Sequence, residues 1–394
     1  MAGTAETRRG SRVVIAAFFV MFTGFGCAYS FSSFFAPLQE SFASPRGDLS
    51  LVFSIATSLY FLLGVVSGPL ADRFGPRFVV LFGVAIIGLG LFAVTQAQTL
   101  WQVYWGYGLG VGVGVGFAYV PAVGAVQRWF VRRRGLASGL AVSGIGAGTL
   151  VMPLFAVYLI DHLGWRGAYG VLGAVTLLGG GTAALFIDGT PERHGPKSAS
   201  EGMTLAATLR TKPFWMIYLA TLAVSFGLFL PFVHLTPFAE DHGIAHDRAV
   251  GLFSLMGIGS TAGRFALGGL ADRFGRRVSL ASMHFGMALS LGWWTISTEA
   301  WQIALFALVF GSCYGGFVAL SPALLADYFG SRNAAGIVGA SYTSVAIGTL
   351  FGPTLAGYAF DLFRSYTIPI AGSAGACLIG VLLILLLPKP VTSP

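Results

Sequence analysis

Charged side chains are scarce in this chain: they make up 10% of its 394 residues, where an ordinary soluble domain carries roughly 25%. A water-solvated globule is thereby excluded. Cysteine is nearly absent too. Cys27, Cys313 and Cys377 lie inside apolar stretches with no metal-ligand spacing, so neither a disulfide framework nor a metal site is expected. No nucleophile–base pair, phosphate loop or cofactor fingerprint stands out, which disfavours an enzyme and leaves no cofactor to expect. Lysine is the third shortage, at three residues against twenty arginines. With 56 glycines it suggests a GC-rich, bacterial coding sequence and hence an inner membrane.

What the chain has instead is apolar length. Twelve largely apolar stretches lie at 12–38, 49–71, 78–97, 101–127, 135–160, 167–187, 213–239, 249–271, 278–297, 301–326, 334–360 and 366–387. Each is long enough to cross about 30 Å of hydrocarbon as a helix, so an all-α integral membrane protein with spans 1 to 12 is expected. The opening "MAGTAETRRGSRVV" lacks a small-residue cleavage site, and span 1 reads as a retained helix rather than a signal peptide. With the N-terminus inside, eighteen of the 23 basic residues fall on the cytoplasmic side and four, Arg46, Arg166, Arg248 and Arg364, fall outside. Both termini are therefore expected in the cytoplasm. The net charge of +8 follows from this topology beside anionic lipid, and no nucleic-acid partner is expected.

The chain also writes itself twice. "GPLADRFGPR" at 68–77 returns as "GGLADRFGRR" at 268–277, and the same offset relates Pro37 and Glu40 to Pro237 and Glu240, Trp101-Gln102 to Trp301-Gln302, Pro153 to Pro353, and Asp161 to Asp361. An even number of spans per copy makes the copies parallel repeats, the plan of transporters in which two bundles rock about a central site. The bundles are expected at 1–190 and 213–394, joined by the polar linker 191–212, which has room for a short surface helix.

The paired G-x-L-A-D-R-x-G-x-R loops resemble the signature of the major facilitator superfamily. Within it, "PAVGAVQRWFVRRRGLASGLAVSG" at 121–144 resembles the monocarboxylate transporter family and its oxalate:formate antiporter relatives. The resemblance implies a secondary transporter of a small organic anion. In the loops, Asp72 and Asp272 can face helix N-termini of the opposite half and nearby arginines such as Arg128 and Arg332, while Arg73, Arg77, Arg273 and Arg277 complete the set. Contacts of that kind would hold one side closed and break when it opens. Gly75 and Gly275 suit the tight reversal.

One basic residue belongs to neither side of the membrane. Arg264 lies eight residues before Asp272, about 12 Å deeper at the helical rise and so near the midplane. An intramembrane arginine costs about 2.5–3.5 kcal/mol even on lenient scales, and needs a partner or a cavity. All fifteen acids fall in termini, loops or helix ends, so a cavity around Arg264 would attract anions. The monocarboxylate family carries an arginine at the matching place on span 8, taken there to bind the substrate carboxylate. A guanidinium fork suits that task. Tyr119, Tyr29, Tyr314 and Tyr342, inside spans 4, 1, 10 and 11, are the candidate hydroxyls around a carboxylate, with packing as their alternative role. The glycine run 108–117 reads as a close helix-packing face.

The family pattern also breaks. Animal monocarboxylate transporters have an acid four residues before the arginine of span 8 and a lysine on span 1; Ser260 and Tyr29 stand in those places here. Ser260 joins the candidate shell. Oxalate:formate antiporters add a lysine on span 11 where this chain has Val345. Proton coupling would then use the substrate's own carboxyl or His234, on span 7. The expected partners are thus a small organic anion, a proton and the bilayer, with the monomer as the working unit. A carboxylate exchanger of the oxalate:formate type is the alternative, and a nontransporting membrane sensor is the reading of another class.

Overall fold

A computed structural model describes residues 2–130, 134–189, 202–330 and 333–388. The first six spans are built from α1 (Ala2–Tyr29), α2 (Phe31–Phe42), α3 (Arg46–Phe74), α4 (Pro76–Thr95), α5 (Leu100–Val103), α6 (Gly110–Trp129), α7 (Arg134–Val175) and α8 (Gly181–Leu185). After α9 (Leu205–Thr208), the last six comprise α10 (Lys212–Leu228), α11 (Leu230–Asp241), α12 (His246–Phe274), α13 (Arg276–Trp294), α14 (Ala300–Phe329), α15 (Ala334–Phe363) and α16 (Thr367–Leu385). The described residues contain no strand; one isolated bridge pairs Gly202 of the linker with Gly330.

Nine segments among the described residues are long and apolar enough to cross a membrane. One of them, Ala137–Leu185, holds two crossings, because the chain turns at Gly164, where φ is 67°. The 29-residue α12 and the 19-residue α13 complete twelve. The Gly-, Ser- and Thr-rich segment "GIGSTAGR" makes α12 less apolar than its neighbours.

The repeat is visible in the local geometry. Gln102 and Gln302 each close a capping box at the start of span 4 and span 10, on Thr99 and Glu299 respectively, so both copies start the helix by the same reciprocal hydrogen bonds. Gly75 and Gly275 take φ of 87° and 85°, a region that disfavours any side chain. Span 1 breaks at Ser30, whose hydroxyl donates to the Cys27 carbonyl at 2.8 Å and competes with the helical ladder. Span 7 breaks at Phe229, where Pro231 occupies the first turn of α11. Neither break was legible in the continuous apolar pattern.

The first and last six spans meet chiefly through α3 against α15 and α7 against α12. The glycine run in α6 does pack closely, and on two faces. A Cβ at Gly114 would lie 2.4 Å from the Ile87 side chain and 2.6 Å from the Gly83 carbonyl oxygen of α4, while one at Gly112 would lie 2.8 Å from the Ala56 carbonyl oxygen of α3. Alternate glycines thus let α6 touch two helices backbone to backbone. Gly114→Leu is expected to cost about 1–3 kcal/mol through overpacking and to lower the melting temperature in detergent. Gly372→Leu, with open space around it, should leave the melting temperature unchanged. Equal melting of the two variants would reject the packing role.

Candidate functional site

A cavity lies between the two sets of six spans. Its wall contains Arg264, Tyr29, Tyr119, Tyr314 and Tyr342 together with Phe25, Phe61, Phe317 and Val345, and no carboxylate. Five of the six candidate substrate residues are therefore brought together from α1, α6, α12, α14 and α15. Ser260 is not on the wall: it is buried one turn before Arg264, with its hydroxyl unpartnered and its carbonyl against Gly315 of α14.

Small residues set the position of Arg264. A Cβ at Gly257 would lie 2.5 Å from the Gly146 carbonyl oxygen of α7, and one at Gly263 would lie 2.0 Å from that of Ser312 on α14, so α12 sits in backbone contact with a helix on each side. That closeness lets Nη1 of Arg264 donate to the Val142 carbonyl of α7 at 2.8 Å. Among the described residues the side chain has no other hydrogen-bond partner. Arg264 is 7% exposed, and its Nε and Nη2 are buried without a hydrogen bond. Two N–H edges of a fixed cation are left to an uncharged aromatic wall, with Tyr119 and Tyr314 within electrostatic reach. Such a site is incomplete without an acceptor. Tyr29 shares hydrogen bonds with Tyr314 at 3.2 Å and Tyr60 at 3.4 Å, a network that includes a tyrosine the sequence reading missed.

The bundle has a terminal end, where α1 begins and α16 ends, and an opposite, distal end. Toward the distal end the cavity is closed by an aromatic layer from both halves, with ring centroids 4.6 Å apart for Tyr29 and Phe232 and 5.3 Å for Phe232 and Tyr314. Beyond it lies His234. Its Nε2 donates to the Pro353 carbonyl at 2.8 Å and lies 3.3 Å from the Ser50 hydroxyl, while Nδ1 accepts from the Tyr366 hydroxyl at 3.1 Å. His234 thus belongs to this closure and not to the cavity.

Furthest out, Arg46 of α3 is held by the last six spans. Its Nη1 and Nη2 donate to Asp241 at 2.6 and 2.7 Å, Nη1 also donates to the Tyr366 hydroxyl at 2.8 Å, and its guanidinium lies 4.0 Å over the Phe360 ring. The backbone N–H groups of Arg46 and Gly47 donate to the Asp361 carboxylate at 3.1 and 2.9 Å. A carboxylate from one half therefore caps a helix N-terminus of the other. The sequence reading expected this device of Asp72 and Asp272 and missed it here, although the Asp161/Asp361 match pointed to it.

At the terminal end the repeated loops tie each half to itself. Asp72 pairs with Arg128, and Arg77 donates to the Ile187 carbonyl at 3.2 Å and pairs with Asp188 at 3.7 Å. In the second copy, Arg277 donates to the Ile384 and Leu385 carbonyls, and Arg276 pairs with Asp327 at 2.5 Å. Arg73 and Arg273 lie over the neighbouring Phe74 and Phe274 rings. Arg332 and the side chain of Asp272 lie outside the described residues.

Two repeated sets of six spans, meeting around a cavity with one unpaired cation, define a membrane transporter built on parallel repeats. A family model described as Major Facilitator Superfamily matches residues 14–296 and 252–394, and the chain belongs to that superfamily. It is similar to monocarboxylate transporter 11 of Homo sapiens, at 30% identity over 405 residues covering 100% of this chain and 86% of that protein. It is also similar to monocarboxylate transporter 13 of Bos taurus, 29% identical over 388 residues and covering 96% and 89% of the two chains. The MFS-type transporter pynF of Aspergillus niger is 26% identical over 387 residues, covering 97% and 88%.

Proposed function

We propose that the protein moves small monocarboxylates across the membrane by alternating access, with Arg264 as the partner of the carboxylate. The observation that supports this most directly is the buried guanidinium with Nε and Nη2 unpartnered in a cavity without acids. A carboxylate accepting from that edge would fill two vacant donors and neutralise the charge. Tyr119 and Tyr314 are proposed to bond the same carboxylate, and the rings of Phe25, Phe61 and Tyr342 to enclose a short organic tail. The names of the similar monocarboxylate transporters lend support to the substrate class.

The distal end is proposed to face outward, as the basic-residue asymmetry supports, with both termini in the cytoplasm. The excess of arginine over lysine supports a bacterial inner membrane; the similar proteins named above come from animals and a fungus and bear on the family alone. The loops around Asp72 and Asp272 are proposed as the inner gate. In this structure the described contacts stay within each half, while the Arg46–Asp241 and Asp361 contacts join the halves at the other end. That pattern supports an outward-closed state.

Arg264→Ala and Arg264→Lys are expected to weaken substrate binding roughly 30-fold or more, since a buried charged pair that loses one partner costs about 2–5 kcal/mol. Binding to the purified variants measures it, and near-normal affinity in either rejects the assignment.

The proton is proposed to travel with the substrate's carboxyl, because both nitrogens of His234 are engaged in the distal closure. An inward proton gradient should accelerate uptake into reconstituted vesicles, and His234→Gln should keep that acceleration. If the variant transports but ignores the gradient, the proton belongs to His234. If the native protein ignores it, exchange of carboxylates becomes the better reading.

Valence is the sharper test. One arginine balances one carboxylate, and a second would be buried unpaired at a cost of several kcal/mol. Lactate-sized acids should inhibit uptake of labelled substrate well, and oxalate and malate poorly, at a pH where all carboxyls are ionised. Val345 lines the cavity, so Val345→Lys should improve inhibition by the dicarboxylates. Dicarboxylates that inhibit the native protein better than monocarboxylates would overturn the one-cation site.

A further inference from the structure

The repeat that places Arg46 at the start of α3 places His246 at the start of α12, and the offset that gives Asp361 to the first gives Asp161 to the second. The two positions correspond in the repeat and differ in their contacts. Arg46 is gripped by Asp241 and Asp361 of the last six spans, across the boundary between halves. His246 donates through Nδ1 to Glu240 of α11, in its own half, while Asp161 of α7 and the Ser33 backbone of α2, across the boundary, lie within electrostatic reach of its ring. One copy of the distal closure therefore carries a permanent cation at this place and the other a titratable ring.

The geometry at Nε2 is what makes the ring a switch. This nitrogen is buried and has no hydrogen-bond partner in this structure, although the Ser33 backbone is close enough to act on the ring. In the neutral ring Nδ1 keeps the proton for Glu240, so Nε2 is left as a buried, unused lone pair. In the imidazolium both nitrogens donate. A small shift would then let Nε2–H bond the Ser33 carbonyl, while Glu240 and Asp161 act on the positive charge. Among the described residues, Glu240 and Asp161 are the charged side chains that act on the ring; elsewhere on the elements packed against α12, Glu299 at the start of α14 is used in its own capping box, Asp241 is taken by Arg46, His242 bonds the Phe238 carbonyl, His162 of α7 bonds the Tyr158 carbonyl, Arg166 of α7 bonds the Ala97 carbonyl, Glu40 of α2 is exposed, and α13 ends on the apolar Trp294.

We infer that His246, with Glu240, Asp161 and the Ser33 carbonyl, forms a proton-binding site on the distal face whose occupation holds the distal end closed. The proton bound here is not the one transported. In the closed state His246 lies on the distal side of the Tyr29–Phe232–Tyr314 layer, cut off from the terminal end, so a proton that enters from the distal side must leave to that side. The site reports the pH of the distal compartment to the gate.

Glu240 first, with Ser33 and Asp161 behind it, outweighs burial and holds the His246 pKa above the ordinary histidine value. Opening the distal end takes away the Ser33 and Asp161 contributions, so the closed form binds the proton more tightly than the open one. The extra stability of the closed form is present below the open-state pKa and is lost as pH rises through the closed-state value.

Spin labels on Gln98→Cys and Thr298→Cys, both exposed and on distal loops of opposite halves, test this in the reconstituted full chain without substrate. The distance distribution is expected to contract to the closed value near about pH 5.5 and to broaden toward longer distances near about pH 8.5, the range over which a histidine changes charge. His246→Gln should remove the pH response. His246→Arg, which copies the chemistry of Arg46, should give the closed distance at both pH values. A native distribution that does not move with pH, or a His246→Gln protein that moves as the native one does, overturns the inference. A pH-dependent His246→Arg protein does the same. Since no substrate is present, none of these outcomes depends on which anion is carried.

Discussion

A guanidinium held in the middle of a membrane protein with two of its N–H edges unbonded is the constraint around which the rest of this molecule is arranged. Burying a charge is tolerated only where something repays the lost hydration, and here, among the described residues, the fixed partner of Arg264 is a backbone carbonyl of the opposite half. Val142 can offer that carbonyl only because glycines at 146 and 257 remove the side chains that would otherwise separate α7 from α12. The aromatic wall follows from the same constraint. Phenol and phenyl rings surround the cation without supplying a counter-charge, so the vacancy stays open to a soluble anion instead of being closed by a carboxylate of the chain.

The closure on the distal side shows how a duplicated plan acquires unequal ends. Both copies begin their second span with a basic residue paired with an acid of α11, across the boundary for Arg46 and within its own half for His246. The copies diverge in which base they use, arginine in one and histidine in the other, so that one contact carries a permanent charge and the other a titratable one. The terminal end is ordered differently, because Arg77 and Arg277 are spent on carbonyls at the ends of spans 6 and 12 in their own halves. The repeated loops thus stiffen each bundle where they lie, whatever further contacts Asp72 and Asp272 make when that end shuts.

Much of this was readable in the residues, for physical reasons that are easy to name. Apolar length reveals a span, and a 200-residue offset reveals a duplication. A lone arginine at depth with no acid beside it points to a cavity that favours anions, and the structure brings Arg264 and four tyrosines together on one cavity wall. Ser260 was named from an aligned position; it lies one turn before Arg264, off the cavity wall, where α12 meets Gly315 of α14. The breaks at Ser30 and Phe229 leave no trace in hydropathy, since both flanks are apolar. Arg46 was counted only as a topology signal. Its role depends on Asp241, Asp361, Tyr366 and Phe360, four residues about two to three hundred positions away that only the packing of spans 2, 7 and 11 brings together.

The glycine contacts between halves have a mechanical meaning. Gly357 of α15 lies against the backbone of Arg46 and Gly47 on α3, and Gly257 of α12 against that of Gly146 and Leu150 on α7, so at these two seams the halves come into backbone contact. Backbone surfaces without projecting groups can roll on one another with few rotamers to rearrange, whereas the interlocked rings elsewhere cannot. The seam at Gly146 and Gly257, beside Arg264, is the natural pivot for any rocking of one half against the other. Displacement grows with distance from an axis, so the outermost ionic contacts would sweep the largest arcs while Arg264, set beside a seam, would scarcely move. The anion would then be transferred by the water receding from one side of it and arriving at the other, rather than by being carried any distance through the protein.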